Sequence, residues 1–375
     1  MSQHPTISLA LTDDWELRGD GSGDPEQLQF EPLRKLLSIY GEKGARTTFN
    51  VEVMQQLAFR EFQTTVPALK PLADAWDDAV REAFRQGQDI QLHIHPQWSK
   101  ATYREGRWHL SGDWALPRTD VNTVRSMLER SKRYLENLLQ PLDSDYKCVA
   151  FPSGSSCIAP SSFALPLLTE LGIKFDMSII GGLRVNTRNL QIDYSPCEES
   201  FLPFYPRLDD ARKVSNKPEP IICVPIFHFY LSRRETFKQV LSKISQKLGN
   251  TISSQTDGDG YSQEQWAEVG RSSRFKLAYD KAIKPCLSGK YMVGDLSQLD
   301  YAGLREMLHA IRFKARQSGL KELPVILTCH SKYIKDFSHI ESFVRDIAKA
   351  TDIKFATLTD IATKLEAGHF AVRSL

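Results

Sequence analysis

The chain alternates short apolar runs with longer stretches in which apolar residues recur every three or four positions. The short runs are typical of strands, and the longer period is typical of amphipathic helices. Their alternation predicts an α/β fold with parallel strands joined through helices. Strands are predicted over residues 7–12, 46–50, 89–93, 147–151, 174–178, 221–230, 324–329 and 353–356. Helices are predicted over residues 30–43, 66–86, 119–140, 161–171, 301–317, 340–350 and 359–365.

The pattern amounts to roughly seven or eight strand–helix units, and the chain of 375 residues is longer than a barrel of such units needs, which is about 250 residues. Residues 103–111 predict a hairpin around a central glycine. An insertion-rich region spans residues 183–289; within it, residues 183–220 predict long connecting loops and residues 250–260 a polar, glycine-bearing loop. We find no repeat and no linker, so we expect one domain over residues 1–375.

Composition narrows the class of protein. Apolar content of 41% and charged content of 25% are ordinary for a globular protein with a substantial core. A net charge of +2 offers no basic patch for a nucleic-acid partner, and the apolar runs are too short to predict a transmembrane segment. The first residues lack the features of a secretory signal, so we predict a cytoplasmic protein. The six cysteines are scattered without a C-x-x-C pair and are predicted to be reduced core residues.

Polar residues that could take part in catalysis or metal binding follow three of the predicted strands. Asp13 and Asp14 end the first strand, His93 and His95 end the third, and His330 ends a late one. Chemistry in parallel-strand folds collects at the carboxyl ends of the strands, so we expect these side chains to share one rim. Isolated pairs of this kind are more often solvated loops, caps or structural histidines; their position at strand ends favours a site.

The spacing suggests a division of roles. Neighbouring residues of an extended chain point in opposite directions, so one aspartate can bind a cation while the other acts as a general base. Histidines two apart project to the same side. Asp14, His93 and His95 are therefore predicted metal ligands, and three nitrogen and oxygen ligands leave positions for water and substrate, as in catalytic zinc sites. His330 reaches the same rim.

Five short motifs in this order resemble those of the polysaccharide deacetylases with the NodB-homology fold, also called carbohydrate esterase family four. The motifs are Thr12-Asp13-Asp14, His93-Ile94-His95-Pro96, Phe151-Pro152-Ser153-Gly154, Asp176-Met177-Ser178 and Leu327-Thr328-Cys329-His330. The resemblance implies a distorted (β/α)7 barrel. It also implies that Asp13 is the catalytic base, that Asp14 and the two histidines bind the metal, and that His330 protonates the leaving group.

Two departures from the family pattern bear on the site. The family histidines are usually four residues apart, which would select Gln97, whereas here they are two apart. The arginine that normally pairs with the base is replaced by Ala150. We therefore predict that a basic or hydrogen-bonding side chain from residues 183–207 contacts Asp13 instead. The candidates are Arg184, Arg188 and Arg207.

These features together predict a metal-dependent hydrolase that removes an acyl group, expected to be acetyl, from an N-acetylated sugar in glycan biosynthesis. The expected cofactor is a divalent ion, with zinc favoured. The predicted substrate-binding residues are Trp15, Trp98, Phe151, Ser153, Gly154, Asp176 and His228. The two tryptophans either stack on a sugar or pack in the core, and His228, flanked by aromatics, is interpreted as a wall residue.

Two alternatives remain open from the sequence. One is an amidohydrolase of the same fold that acts on an amide outside a sugar. The other is a catalytically silent relative that binds carbohydrate or scaffolds a partner. The presence of both aspartates and all three motif histidines argues against silence, because a decaying site tends to lose its ligands first.

Overall fold

Seven parallel strands form a ring in the computed structural model, which describes residues 5–112, 114–238 and 290–375. The ring strands are β1 (Thr6–Trp15), β2 (Thr48–Glu52), β3 (Asp89–His93), β4 (Ala150–Phe151), β5 (Phe175–Asp176), β6 (Ile222–Cys223) and β7 (Glu322–Leu327). An eighth strand, β8 (Ile353–Phe355), pairs with the beginning of β1, while β2 pairs with its end.

Two isolated parallel bridges close the ring where the ladders stop. Ile94, just after β3, pairs with Ser153, just after β4; Ile226, after β6, pairs with Ile326 in β7. The remaining neighbours are β7–β1–β2–β3 and β4–β5–β6, all parallel. The architecture is therefore α/β and is the distorted seven-stranded barrel that the motifs implied. All seven strands end at one rim.

Helices cover the outside of the ring. They are α1 (Glu31–Glu42), α2 (Val53–Phe62), α3 (Leu69–Arg85), α4 (Val121–Leu139), α5 (Ala164–Glu170), α6 (Tyr301–Ser318), α7 (Ser338–Ala348) and α8 (Leu358–Glu366). Their ends follow local chemistry. The Asp120 carboxylate accepts hydrogen bonds from the first amides of α4, as an N-cap does. Thr357 and Asp360 form a capping box at α8. Gly87, with φ of 79°, follows α3 in the left-handed conformation that favours glycine.

Helix α2 is absent from the sequence prediction. Two adjacent glutamines interrupt its apolar pattern, yet both are fully buried. Gln55 donates to the Gln29 side chain at 2.7 Å, and Gln56 donates to the Asp77 carboxylate at 2.8 Å. Buried amides with partners occupy core positions that a hydrophobic pattern assigns to apolar residues.

The loop predictions are mixed. The hairpin predicted at residues 103–111 is confirmed, with strands Thr102–Arg104 and Arg107–His109. The prediction of irregular loops over 183–220 is wrong in part, because two antiparallel hairpins form there: Arg184–Asn186 with Gln191–Asp193, and Pro206–Arg207 with Asp210–Val214. The strand predicted at 221–230 divides into β6 and the strand His228–Leu231, which pairs with Lys290–Val293. The loop predicted at 250–260 lies outside the described residues.

The main core lies between the ring and its helices, where large side chains such as Trp76 and Phe343 are fully buried. Five cysteines, Cys148, Cys157, Cys197, Cys223 and Cys329, are buried and form no disulfide, as predicted; Cys286 lies outside the described residues. Among the helices of the described residues, none combines the length and apolar character required to cross a membrane.

Candidate active site

The end of β1 determines which carboxylates face the rim. The strand continues to Trp15, three residues beyond its predicted end at Thr12. Side chains alternate along a strand, so Asp14 and Glu16 share one side, and Asp13 and Trp15 share the other. Trp15 packs against Trp76 of α3, with ring centroids 5.5 Å apart. The side that carries Trp15 and Asp13 therefore faces the helix layer.

Asp13 is bound to the loop that follows β7. Its two carboxylate oxygens accept hydrogen bonds from the Ser331 backbone amide at 2.8 Å and from the Ser331 hydroxyl at 2.7 Å. Burial raises the pKa of Asp13 to about 6, although these two hydrogen bonds oppose the rise. The predicted partner from residues 183–207 is wrong: Ser331 takes this position, while Arg184, Arg188 and Arg207 are exposed.

Four buried side chains converge beneath the rim, and each offers a ligand atom within 4.8 Å of the others. We call Glu16, Glu52, His93 and His95 the four-residue cluster. His95 Nδ1 lies 2.7 Å from Glu52 Oε2 and 3.0 Å from Glu16 Oε2, and His93 Nε2 lies 3.5 Å from the same Glu16 oxygen. Tetrahedral ligands about 2.0–2.1 Å from a zinc ion are separated by about 3.4 Å. The spacing of this donor set therefore suits one small divalent ion.

His93 presents an unpaired nitrogen to the cluster. Its Nδ1 lies 2.9 Å from the Pro152 carbonyl oxygen, which can only accept, so Nδ1 carries the proton. The other nitrogen, Nε2, is buried, has no hydrogen-bond partner and lies 3.5 Å from Glu16 Oε2. Burial would lower the pKa of His93, but the charge of Asp14 and then the contact with Glu16 raise it. A second hydrogen bond that fixes the tautomer in this way is typical of metal-binding histidines.

Lys332 supplies a buried positive charge beside the cluster. Its ammonium donates to Glu16 Oε1 at 2.5 Å and to the Leu17 carbonyl at 3.0 Å. Burial alone would raise the pKa of Glu16, but the charges of His95 and Lys332 outweigh it and hold that pKa well below its usual range. Burial would likewise lower the pKa of His95, but Glu16 and then Glu52 raise it to about 10. Binding of an ion at His95 therefore requires the loss of a proton.

Asp14 is not part of the four-residue cluster and faces His330 instead. Asn50 donates to Asp14 Oδ1 at 2.9 Å, and Asp14 Oδ2 lies 3.6 Å from His330 Nε2. The Asp295 carboxylate holds the opposite nitrogen, Nδ1, at 3.0 Å. Burial opposes the charged imidazole, but Asp295 outweighs it and raises the pKa of His330 to about 9. Asp14 and His330 are both partly exposed, so solvent reaches this pair.

Three of these residues were missed by the sequence predictions. Glu16 follows Asp14 by two positions, the strand repeat, but lay beyond the predicted end of β1. Glu52 ends β2, which was predicted to stop two residues earlier. If β1 and β2 had been predicted to their full lengths, the expectation that functional side chains lie at strand ends would have identified Glu16 and Glu52. Asp295 follows the insertion-rich region, and no motif marks it.

Gly154 explains the third motif. A Cβ atom at this position would lie 2.6 Å from His95 Cδ2 and 2.6 Å from the Ile94 carbonyl oxygen, closer than side chains tolerate. The glycine therefore allows the imidazole of His95 to pack directly on the backbone. Gln97, the alternative ligand by family spacing, is buried elsewhere and donates to the Gly19 carbonyl.

The predicted substrate-binding residues do not form an open surface. All seven are buried: Trp15, Trp98, Phe151, Ser153, Gly154, Asp176 and His228. Trp98 packs edge-on against Trp108, the Asp176 carboxylate accepts from the Ser178 hydroxyl at 2.6 Å, and His228 Nε2 bonds the Glu198 carbonyl oxygen at 2.8 Å. Burial raises the pKa of Asp176 to about 6. These contacts show packing within the protein, and the predicted part of the seven residues in substrate binding stays a prediction.

Comparisons with known proteins bear on the fold. No family model matches the sequence, and no curated protein matches it. A solved structure named as a candidate polysaccharide deacetylase from Mycobacterium smegmatis is similar, with a TM-score of 0.54 and 14% identity, covering 100% of this chain and 95% of that one. A structure named as a candidate glycoside hydrolase/deacetylase from Parabacteroides distasonis has a TM-score of 0.52 and 12% identity, covering 96% and 72%. The resemblance read from the motifs is confirmed at the level of the fold.

Proposed function

Because the chain has the fold of proteins named as polysaccharide deacetylases, we propose that it is a divalent-metal-dependent hydrolase that removes an acetyl group from the nitrogen of an N-acetylated sugar. The observation that carries the proposal is a buried donor set beside a partly exposed acid–base pair. The four-residue cluster supplies the donors, and Asp14 with His330 forms the pair.

The donor set fits a small divalent ion, and zinc is the ion we propose. Imidazole nitrogens and carboxylate oxygens are common zinc ligands, and His93 Nε2 is buried without a partner. An ion held by all four side chains would need a fifth, open position to polarise an amide carbonyl and lower the pKa of a water, the chemistry that amide hydrolysis requires. Burial of all four side chains excludes bulk water from the donors.

The proton transfers fall to the exposed pair. Asp14 replaces Asp13 as our candidate base, because both oxygens of Asp13 are occupied by Ser331 whereas Asp14 reaches solvent. Asn50 orients the Asp14 carboxylate, which accepts the proton of the attacking water. His330, held by Asp295 and charged near neutral pH, donates a proton to the departing amine.

A sugar substrate needs a surface on the rim, and Tyr333 offers one. Its ring lies 6.4 Å from the His330 ring and is 51% exposed, whereas Trp15 and Trp98 are buried. The Lys332 ammonium lies over this ring, 5.2 Å from its centroid, and a partly exposed tyrosine can stack on the apolar face of a sugar ring. We propose Tyr333 as the aromatic contact that the two tryptophans were expected to provide.

The test is acetate release from N-acetylglucosamine oligosaccharides by protein stripped with chelator and then supplied with Zn²⁺. We expect turnover only with the ion present, and a loss of about 10²- to 10⁴-fold in His330→Gln. The matched control is His309→Gln, an exposed histidine of α6, which should leave the rate unchanged. Equal rates in both variants would exclude His330 as the acid. If the oligosaccharides are inert but a simple N-acetyl amide is cleaved, the amidohydrolase alternative replaces the sugar deacetylase.

One observation favours a second candidate, a catalytically silent carbohydrate-binding relative. Lys332 already neutralises Glu16, so the cluster contains its own counter-charges. A protein of this kind would bind the oligosaccharides without releasing acetate and without taking up an ion. Calorimetry with Zn²⁺ and with the oligosaccharide separates the two candidates.

A further inference from the structure

The rim offers three carboxylates to an ion, and their positions are not equivalent. Asp14 is the carboxylate that the motif resemblance implied as the metal ligand. Glu16 and Glu52 lie within 3.0 and 2.7 Å of His95 Nδ1, whereas the charge of Asp14 acts on His93. Asp14 is instead engaged by Asn50 on one oxygen and faces His330 on the other.

We propose that this chain binds its divalent ion through Glu16 and Glu52 together with His93 and His95, and that Asp14 is not a ligand. The inference rests on the proposed function for the presence of an ion, and it assigns the residues that hold it. The ligand position at the end of β1 is thereby displaced by two residues, from Asp14 to the residue just after the strand, which keeps the side chain on the same side.

Two independent observations support this assignment. The first is His93 Nε2, which is buried, has no hydrogen-bond partner and lies 3.5 Å from Glu16 Oε2, so this nitrogen faces the glutamate rather than solvent. The second is the way the two glutamates are held. Lys332 binds Glu16 through Oε1, and the Met54 amide donates to Glu52 Oε1 at 2.9 Å. Each glutamate therefore has one oxygen fixed by the protein and the other directed at the histidines.

The displacement also explains the spacing of the histidines. Residues two apart on a strand place both rings on one side, and the two rings here lie 4.8 Å apart. Gly154 allows the His95 ring to lie flush with the backbone beneath it. Glu52 is opposite His93 in the β2–β3 register, so its side chain begins beside the two rings.

The experiment compares isosteric variants by calorimetric titration of the full chain with Zn²⁺, and with Co²⁺ for its absorbance spectrum. Glu16→Gln and Glu52→Gln should each weaken binding by about 100-fold or more, the range in which support residues of metal sites already act. Asp14→Asn should weaken it by less than about tenfold, since it removes only an attraction from outside the ligand sphere. The Co²⁺ spectrum of Asp14→Asn should match that of the wild type.

Glu16→Gln leaves Lys332 without its counter-charge, so loss of binding in that variant alone does not distinguish a lost ligand from misfolding. The double variant Glu16→Gln/Lys332→Met removes the buried pair together and is expected to fold. It should show a native circular dichroism spectrum and the same loss of affinity. If the double variant binds Zn²⁺ as the wild type does, Glu16 is not a ligand and the inference is overturned.

The outcomes separate this inference from the proposed function. Loss of Zn²⁺ binding in Asp14→Asn, with binding retained in both glutamine variants, overturns the ligand assignment while acetate release by the wild type still stands. Binding that depends on Glu16 and Glu52 in a protein that releases no acetate supports the ligand assignment and removes the enzyme. A wild-type protein that takes up no ion overturns both.

Discussion

Substitution of Ser331 by alanine tests how Asp13 is held. The Ser331 hydroxyl donates to Asp13 Oδ2 at 2.7 Å, and both groups are buried. A hydrogen bond to a charged group contributes about 1.5–3 kcal/mol, and one between neutral groups about 1 kcal/mol. The cost of Ser331→Ala therefore depends on whether Asp13 is ionised, and so on pH.

The sign follows from the pKa of Asp13, which burial raises from 3.8 to about 6. In that window the folded state binds more protons than the unfolded state, so the stability of the wild type falls as pH rises, by about 3 kcal/mol in all. At pH 5 Asp13 is mostly protonated when folded; at pH 8 it is ionised. We expect Ser331→Ala to cost about 1 kcal/mol at pH 5 and about 2 kcal/mol at pH 8.

The assay is urea unfolding of wild type and variant at both pH values, with chelator present. Ser131→Ala is the control, because Ser131 on α4 is a buried serine whose hydroxyl has no partner. That variant should be neutral or slightly stabilising, and equally so at both pH values. A cost for Ser331→Ala that does not grow between pH 5 and pH 8 would show that Asp13 is not the ionising partner of this hydroxyl.

Three further substitutions test other parts of the site. Gly154→Ala should cost about 1–3 kcal/mol in urea unfolding and weaken Zn²⁺ binding, because its Cβ would overlap the neighbouring imidazole; Gly41→Ala, which has open space in α1, should be neutral or stabilising. Asp295→Asn should lower the pKa of His330, followed by NMR titration, and lower kcat; an unchanged pKa would contradict the role given to Asp295. Tyr333→Ala should raise KM for an oligosaccharide with little change in kcat, and a fall in kcat alone would argue against stacking.

The parts of the fold and site that were predictable are those that depend on local periodicity. The alternation of strands and helices led to the ring, and the strand-end argument brought His93 and His95 together beneath one rim and Asp14 beside His330. Both pairs could be predicted because they lie at strand ends, and the end of an apolar run marks the end of a strand.

The parts that failed depend on contacts between distant segments. Whether Asp13 or Asp14 faces the rim is a question of strand parity, and the predicted strand ended too early to include either. The partner of Asp13 is a serine 318 positions away, and a serine after a histidine carries no visible signal. Asp176 occupies a motif position, yet its partner Ser178 lies two residues along, so the motif reports local packing here.

The strands of the ring differ in length, and its two halves differ in what they contribute to the site. The four-residue cluster and the Asp14–His330 pair come from the ends of β1, β2 and β3 and from the segment after β7, and β1 alone has ten residues; β4, β5 and β6 have two residues each. We expect amide protons to exchange slowly in the first half and quickly in the second. Both inserted hairpins follow β5, on the side with short ladders. That side can therefore be lengthened and reshaped by insertions without moving the strands that carry the charged groups.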